Sequence, residues 1–216
     1  MQLFGTYRSR ASRNLWLLDE IGLPFELVPV WQAYRLDDPE AAGAPLNTRS
    51  PGFLRLSPMG AVPVLRDGDL VLAESLAINL HLARVHGGRL GPRDAAEDAL
   101  MTQWALFGAA SVEGPALAIQ AAIQGGRGDG PEVEEAAARL RRPLGALEAH
   151  LAGRSFMLGD RFTVADVNMA ECVRYAQGHP TLLGGFPAVD AWLRVCQSRP
   201  AFRRYWERRE AEPQRP

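Results

Sequence analysis

Four residues, Val62, Pro63, Glu74 and Ser75, mark the part of this chain best suited to hold a small ligand. Val62-Pro63-Val64-Leu65 is a short apolar run with a proline at its entry. Proline has no N–H to give to a sheet, so it belongs at a strand start, at an edge or in a cis turn. The main chain beside it has no obligatory strand partner, and a peptide-like ligand can pair there as an added strand. Glu74 and Ser75 stand just before Leu76, Ile78, Leu80 and Leu82, an apolar helical run. Ser75 is therefore expected close to the helix N-cap. A helix N-terminus offers unpaired N–H groups and a positive dipole end, which suits a carboxylate. Elsewhere, His81, His86, His150 and His179 lack metal-ligand spacing; the first two are five apart, not i, i+4. No metal is expected. No nucleophile–base pair is visible either, so catalysis has to come from delivering a second reactant to a bound one.

The surrounding elements follow from local signals. Residues 2–6 read as a strand, and Leu15, Trp16, Leu18 and Ile21 recur at helical spacing until Gly22 and Pro24 stop the helix. Residues 25–30 read as a second strand, and strand–helix–strand implies parallel pairing. Residues 31–57 have no clear period and are expected irregular, with one short helix near 51–56. Asp67-Gly68 between two apolar runs is a hairpin signal. Residues 87–93, rich in glycine and containing Pro92, read as a linker. Beyond them nothing reads as a strand. Asp94 caps a long helix running past Pro115 to about Ile123, with a kink expected at the proline. Residues 125–131 form a glycine-rich loop that follows a helix, so a phosphate-loop reading fails its context. Residues 132–151 are helical. Thr163 and Asp166 form a capping box before the next apolar run. Last helices are expected at 187–196 and 201–206, with 207–216 frayed. The domains are thus 1–86 and 94–206.

Composition narrows the function classes. The chain has 216 residues, 47% of them apolar, which is ample for a core. A net charge of −1, from 24 basic and 25 acidic residues, gives no reason to expect a nucleic-acid or membrane surface. Every basic residue among the 24 is arginine, and they are scattered. No apolar run approaches the roughly 18–20 residues of a spanning helix, and the start of the chain lacks a signal-peptide core. A cytoplasmic location is expected. Cys172 and Cys196 sit among helix-patterned apolar residues and read as buried free thiols.

The ordered set Pro58, Gly60, Val62, Pro63, Leu65, Asp67, Gly68, Leu72, Glu74, Ser75, Ala77, Ile78 resembles the glutathione-binding half of the cytosolic glutathione S-transferases. Leu158, Gly159, Asp160, Phe162, Thr163, Ala165 and Asp166 resemble the same family's helical domain. The resemblance implies an α/β plus all-α architecture: an N-terminal thioredoxin-like domain followed by an all-helical one. It implies a cis Pro63, a Val62 main chain pairing with the cysteinyl part of glutathione, and Glu74 and Ser75 at its γ-glutamyl end. Glutathione is then the co-substrate, a small apolar electrophile the second substrate, and a homodimer the expected assembly, with Asp98 a candidate for reaching the partner's γ-glutamyl amine.

An enzyme of this kind must make a thiolate near neutral pH. Lowering a thiol pKa by two units takes about 2.7 kcal/mol. One hydroxyl hydrogen bond to the charged sulfur supplies roughly 1.5–3 kcal/mol. The start of the first helix offers Tyr7, Ser9 and Ser12. Ser9 falls where the bacterial-type, serine-type members that this chain resembles keep their thiol-activating serine; Ser12 and Tyr7 are the alternatives. This turn holds no cysteine, unlike the cysteine-type members. Many members also carry a basic or amide residue just before Val-Pro, facing the glycyl carboxylate. Here Gly60 and Ala61 precede Val62, so Arg35 or Arg49 is considered for that carboxylate. Tyr7, Trp104, Phe107, Ser111 and Tyr175 are the candidates for the electrophile pocket, expected between the domains. The alternatives to conjugation are glutathione-dependent isomerisation or dehalogenation on the same residues, and a non-catalytic binding protein of the same fold.

Overall fold

Gln2, Leu3 and Phe4 form β1 (Gln2–Phe4), in the computed structural model that describes residues 1–215. β1 pairs parallel with β2 (Glu26–Val28), as the intervening helix α1 (Ser12–Ile21) requires. α1 ends at Gly22, whose φ of 73° is the left-handed cap that its Cβ-less backbone permits. The irregular stretch after β2 contains only a turn of 3₁₀ helix and α2 (Pro51–Leu54), two residues shorter than expected.

β3 (Val64–Asp67) and β4 (Leu70–Ala73) close the hairpin, with Gly68 at φ 59°. Sheet order is β2-β1-β3-β4, with β3 antiparallel to both β1 and β4. Phe4, Val30, Phe53 and Val64 pack together, with Val28, Leu56 and Val62 against them. This is the thioredoxin-like arrangement. α3 (Ser75–His86) follows β4 directly.

The remaining helices are α4 (Ala95–Phe107), α5 (Gly114–Gln124), α6 (Pro131–Leu151), α7 (Val164–Val173), α8 (Pro187–Gln197) and α9 (Pro200–Ala211). Asp94 caps α4 by accepting from Glu97 N–H at 2.9 Å. Residues Gly108–Glu113, between α4 and α5, form a π-helical segment rather than a simple kink. Pro115 has no N–H to give to the carbonyl four residues back, and its ring crowds that carbonyl, so the preceding turn widens. Ala95–Gln124 is 30 residues long and, by length and composition alone, apolar enough to cross a membrane. That corrects the expectation of no such run. The stretch is alanine-rich, and Met101, Val112, Ala116 and Ile119 are buried core residues.

The capping box of α7 forms as read. Thr163 Oγ1 accepts from Ala165 N–H, and Asp166 accepts from Thr163 N–H at 2.9 Å. Cys172 and Cys196 are free and buried.

The chain divides into two units, residues 1–88 with 200–215, and residues 89–199. The last helix therefore does not group with the helices before it. Trp16 of α1 meets Phe202 edge-on at 4.9 Å and stacks on Tyr205 at 6.3 Å, and these rings bind α9 to the first unit. The expectation of fraying from Glu207 is also corrected: α9 continues to Ala211, because Arg204 and Arg208 lie beside Asp19, at 3.5 and 3.7 Å.

Candidate active site

A cavity of about 140 Å³ opens where the loop before β3 meets the start of α3. Its lining brings together Val62, Pro63, Glu74 and Ser75, the four residues singled out from sequence, and adds Arg10, Ser57 and Met59. The Val62–Pro63 peptide bond is cis. The loop before it is tied by Ser57, whose Oγ donates to Ala61 O at 2.9 Å and accepts from Ala61 N–H at 3.2 Å. Gly60 stands at φ 58°, and a Cβ there would lie 2.8 Å from Thr48 O. A side chain has no room at that position; Ala61, directly before the Val-Pro pair, is exposed and carries no charged group.

Glu74 occupies the N-cap position of α3 with φ 67° and ψ 108°. A non-glycine residue in this region is strained by about 1–3 kcal/mol and persists only when its surroundings hold it. Ser75 is thus the first helical residue and not the cap. Its Oγ accepts from Arg13 Nη1 at 3.0 Å, and its carbonyl accepts from Asn14 Nδ2 at 2.9 Å. Asn14 also donates to Asn79 Oδ1 at 2.7 Å, and Asn79 donates to Arg13 O at 3.2 Å. All four side chains are buried. This network staples α1 to α3 at the strained residue. The sequence reading missed Asn14 and Asn79; a polar residue at each of these positions, within otherwise apolar helix faces, was the available signal.

Ser9 lies on the loop between β1 and α1. Its Oγ donates to Thr6 O at 2.7 Å and accepts from Thr6 N–H and Ala11 N–H. A Cβ placed on Gly5 would sit 3.5 Å from Ser9 Oγ and 3.7 Å from Val62 Cβ, so the bare glycine brings the Ser9 turn against the cis-proline loop. Ser12 is fully buried as the first residue of α1, and Ala11, not Ser12, holds the N-cap position. The Tyr7 hydroxyl accepts from Arg208 Nη1 at 3.5 Å; none of Tyr7, Ser9 and Ser12 lines the cavity, and Ser9 adjoins it through Arg10, the next residue, which does. Of the arginines considered for the glycyl carboxylate, Arg35 donates to Arg8 O at 2.6 Å and Arg49 is exposed; neither lines the cavity, whereas Arg10 does.

In the helical unit, Trp104 meets Phe107 edge-on at 5.6 Å, and Ser111 lies on the π-helical segment. Tyr175 is buried, with the Arg174 guanidinium 4.5 Å from its ring. Asp98 sits in the first turn of α4, where an acid suits the helix dipole. A larger cavity of about 620 Å³, lined by Arg89, Arg93, Arg161 and Arg199 with Phe156, also lies in this unit; Leu158, Asp160 and Phe162 of the helical-domain motif line it, and none of the candidate glutathione or electrophile residues does. Among the described residues no group of His, Cys, Asp or Glu is placed to hold a metal.

Two family models match the chain: the N-terminal domain of glutathione S-transferase over residues 8–85, and its C-terminal domain over residues 130–195. Glutathione S-transferase 3 of Zea mays is 35% identical over 199 residues, covering 87% of this chain and 84% of that protein. Among solved structures, glutathione transferase F7 of Populus trichocarpa superposes with a TM-score of 0.79 at 28% identity, covering 96% and 98% of the two chains. The theta class glutathione S-transferase of Xanthomonas axonopodis pv. citri, solved with glutathione bound, gives 0.78 at 26% identity, covering 94% and 95%. The chain belongs to the glutathione S-transferase family, and its fold is that family's thioredoxin-like domain followed by a helical domain.

Proposed function

We propose that this enzyme conjugates the thiolate of glutathione to a small apolar electrophile, with Ser9 as the hydroxyl that stabilises the thiolate. The observation that carries the reading is the single cavity that gathers Val62, Pro63, Glu74 and Ser75 beside the Ser9 turn. The Val62 main chain pairs with the cysteinyl part of glutathione as an added strand. Glu74 takes the γ-glutamyl ammonium, while Ser75 and the α3 N-terminus take its carboxylate. Arg10, the one cation among the described residues lining the cavity, takes the glycyl carboxylate.

The Ser9 O–H turns from Thr6 O to the sulfur and donates to it. The thiol proton leaves to solvent, and the sulfur lone pair forms the new S–C bond as the electrophile's leaving group, or its π pair, takes up the electrons. The protein works in the cytoplasm as a homodimer.

Product analysis tests the reaction. A thioether conjugate formed in step with glutathione loss supports conjugation; glutathione regenerated at the end of turnover assigns isomerisation or dehalogenation instead. Ser9→Ala is expected to lose conjugation while keeping glutathione binding. Retained activity would move the role to Ser12 or Tyr7.

A further inference from the structure

We propose that Glu212 is a positioning residue for the Ser9 hydroxyl, strapping the end of the chain onto the loop that carries it. The proposal rests on the Ser9 reading above.

The Glu212 carboxylate accepts from two successive main-chain N–H groups, Tyr7 at 2.8 Å and Arg8 at 2.7 Å. Hydrogen bonds from N–H to a charged acceptor are among the stronger ones, and the two oxygens here take one donor each. The Glu212 carbonyl accepts from Arg8 Nε at 2.8 Å, and the Glu210 carbonyl accepts from Arg8 Nη2 at 3.1 Å. On the far side of the loop, Arg8 O accepts from Arg35 Nη2 at 2.6 Å. Arg8 is thereby held through both its N–H and its carbonyl and Tyr7 through its N–H, while Ser9 itself closes the turn onto Thr6.

Glu212 lies past the end of α9 at Ala211. The helix has its own anchors in Phe202 and Tyr205 on Trp16, and in Arg204 and Arg208 beside Asp19. The carboxylate is therefore not needed to seat α9; its partners are the loop alone. A hydroxyl donor to sulfur is effective only at hydrogen-bond distance. With the strap absent, the N–H groups of Tyr7 and Arg8 turn to water, the loop loosens, and the hydroxyl spends less time on the thiolate.

The sign of the effect separates positioning from a simple field effect. Removing a nearby negative charge would, by electrostatics alone, favour the thiolate and lower the thiol pKa. Loss of positioning raises it.

The test uses the full-length enzyme with Glu212→Gln, and two shortened chains ending at Glu212 and at Ala211. The thiolate absorption of bound glutathione and kcat are followed against pH. Glu212→Gln and the chain ending at Ala211 are expected to shift the thiol titration upward by about one pH unit, a roughly tenfold loss of activity at about pH 6.5 that is recovered at high pH. KM for glutathione is expected to stay within about twofold, and the chain ending at Glu212 to match the full-length enzyme. A folded Glu212→Gln enzyme with an unchanged or lowered thiol pKa would overturn the strap while Ser9→Ala still abolished the band. A Ser9→Ala enzyme that kept the band would overturn the Ser9 reading, and with it the strap's action through Ser9.

Discussion

Asp166 shows how one buried side chain serves the fold. Its carboxyl accepts from Met157 N–H, Thr163 N–H and Trp192 Nε1–H, joining the start of α7 to α8 and to the loop before α7. Burial pushes its pKa up to about 6, against the pull of these donors. A carboxyl raised in the folded state binds its proton more tightly there than when unfolded. Its contribution to stability is therefore full below its ordinary value of 3.8 and is lost as pH rises to about 6, some 3 kcal/mol at most. Chemical denaturation of wild type and Asp166→Asn across that window is expected to show a slope in the first and a flatter line in the second. Asp166→Ala leaves three buried N–H groups without their acceptor and is expected to cost several kcal/mol, since each such group costs about 1–3. Glu74 is the opposite case, a residue held in a strained backbone conformation at the cavity wall. Glu74→Gly is expected to raise the melting temperature by relieving about 1 kcal/mol of backbone strain while weakening glutathione binding, a trade that calorimetry on the one variant reads directly.

At the level of elements, the hairpin, the Gly22 stop and the Thr163 capping box were legible because each is a local signal with its own mechanism. The cavity residues Val62, Pro63, Glu74 and Ser75 were legible through their order. The π-helical segment was not, because a proline predicts a break but not how the helix absorbs it. Pro115→Ala restores an N–H to that turn and is expected to convert it toward regular α-helix, seen as altered amide exchange confined to residues 108–115. The α1–α3 network was equally hidden, since Asn14, Ser75 and Asn79 meet only after folding. Asn14→Ala removes the bonds to Ser75 O and Asn79 Oδ1 and is expected to destabilise by about 1–3 kcal/mol. It should also weaken glutathione binding, because Ser75 is the residue this bond holds next to Glu74.

For the whole molecule, the resemblance read from two motif blocks and the family match agree on the order of a thioredoxin-like and a helical domain. The placement of α9 escaped the sequence because Trp16 lies far along the chain from Phe202 and Tyr205, and nothing local links it to them. Ending the chain before Pro200 uncovers Trp16 and is expected to unfold residues 1–88, losing glutathione binding. In the proposed reaction Ser9 holds glutathione as a thiolate. The most direct test is an ultraviolet difference spectrum of wild type and Ser9→Ala titrated with glutathione at about pH 6.5. A thiolate band in the wild type that disappears in Ser9→Ala, with binding retained by calorimetry, is the predicted result; a band of equal size in both proteins would contradict it.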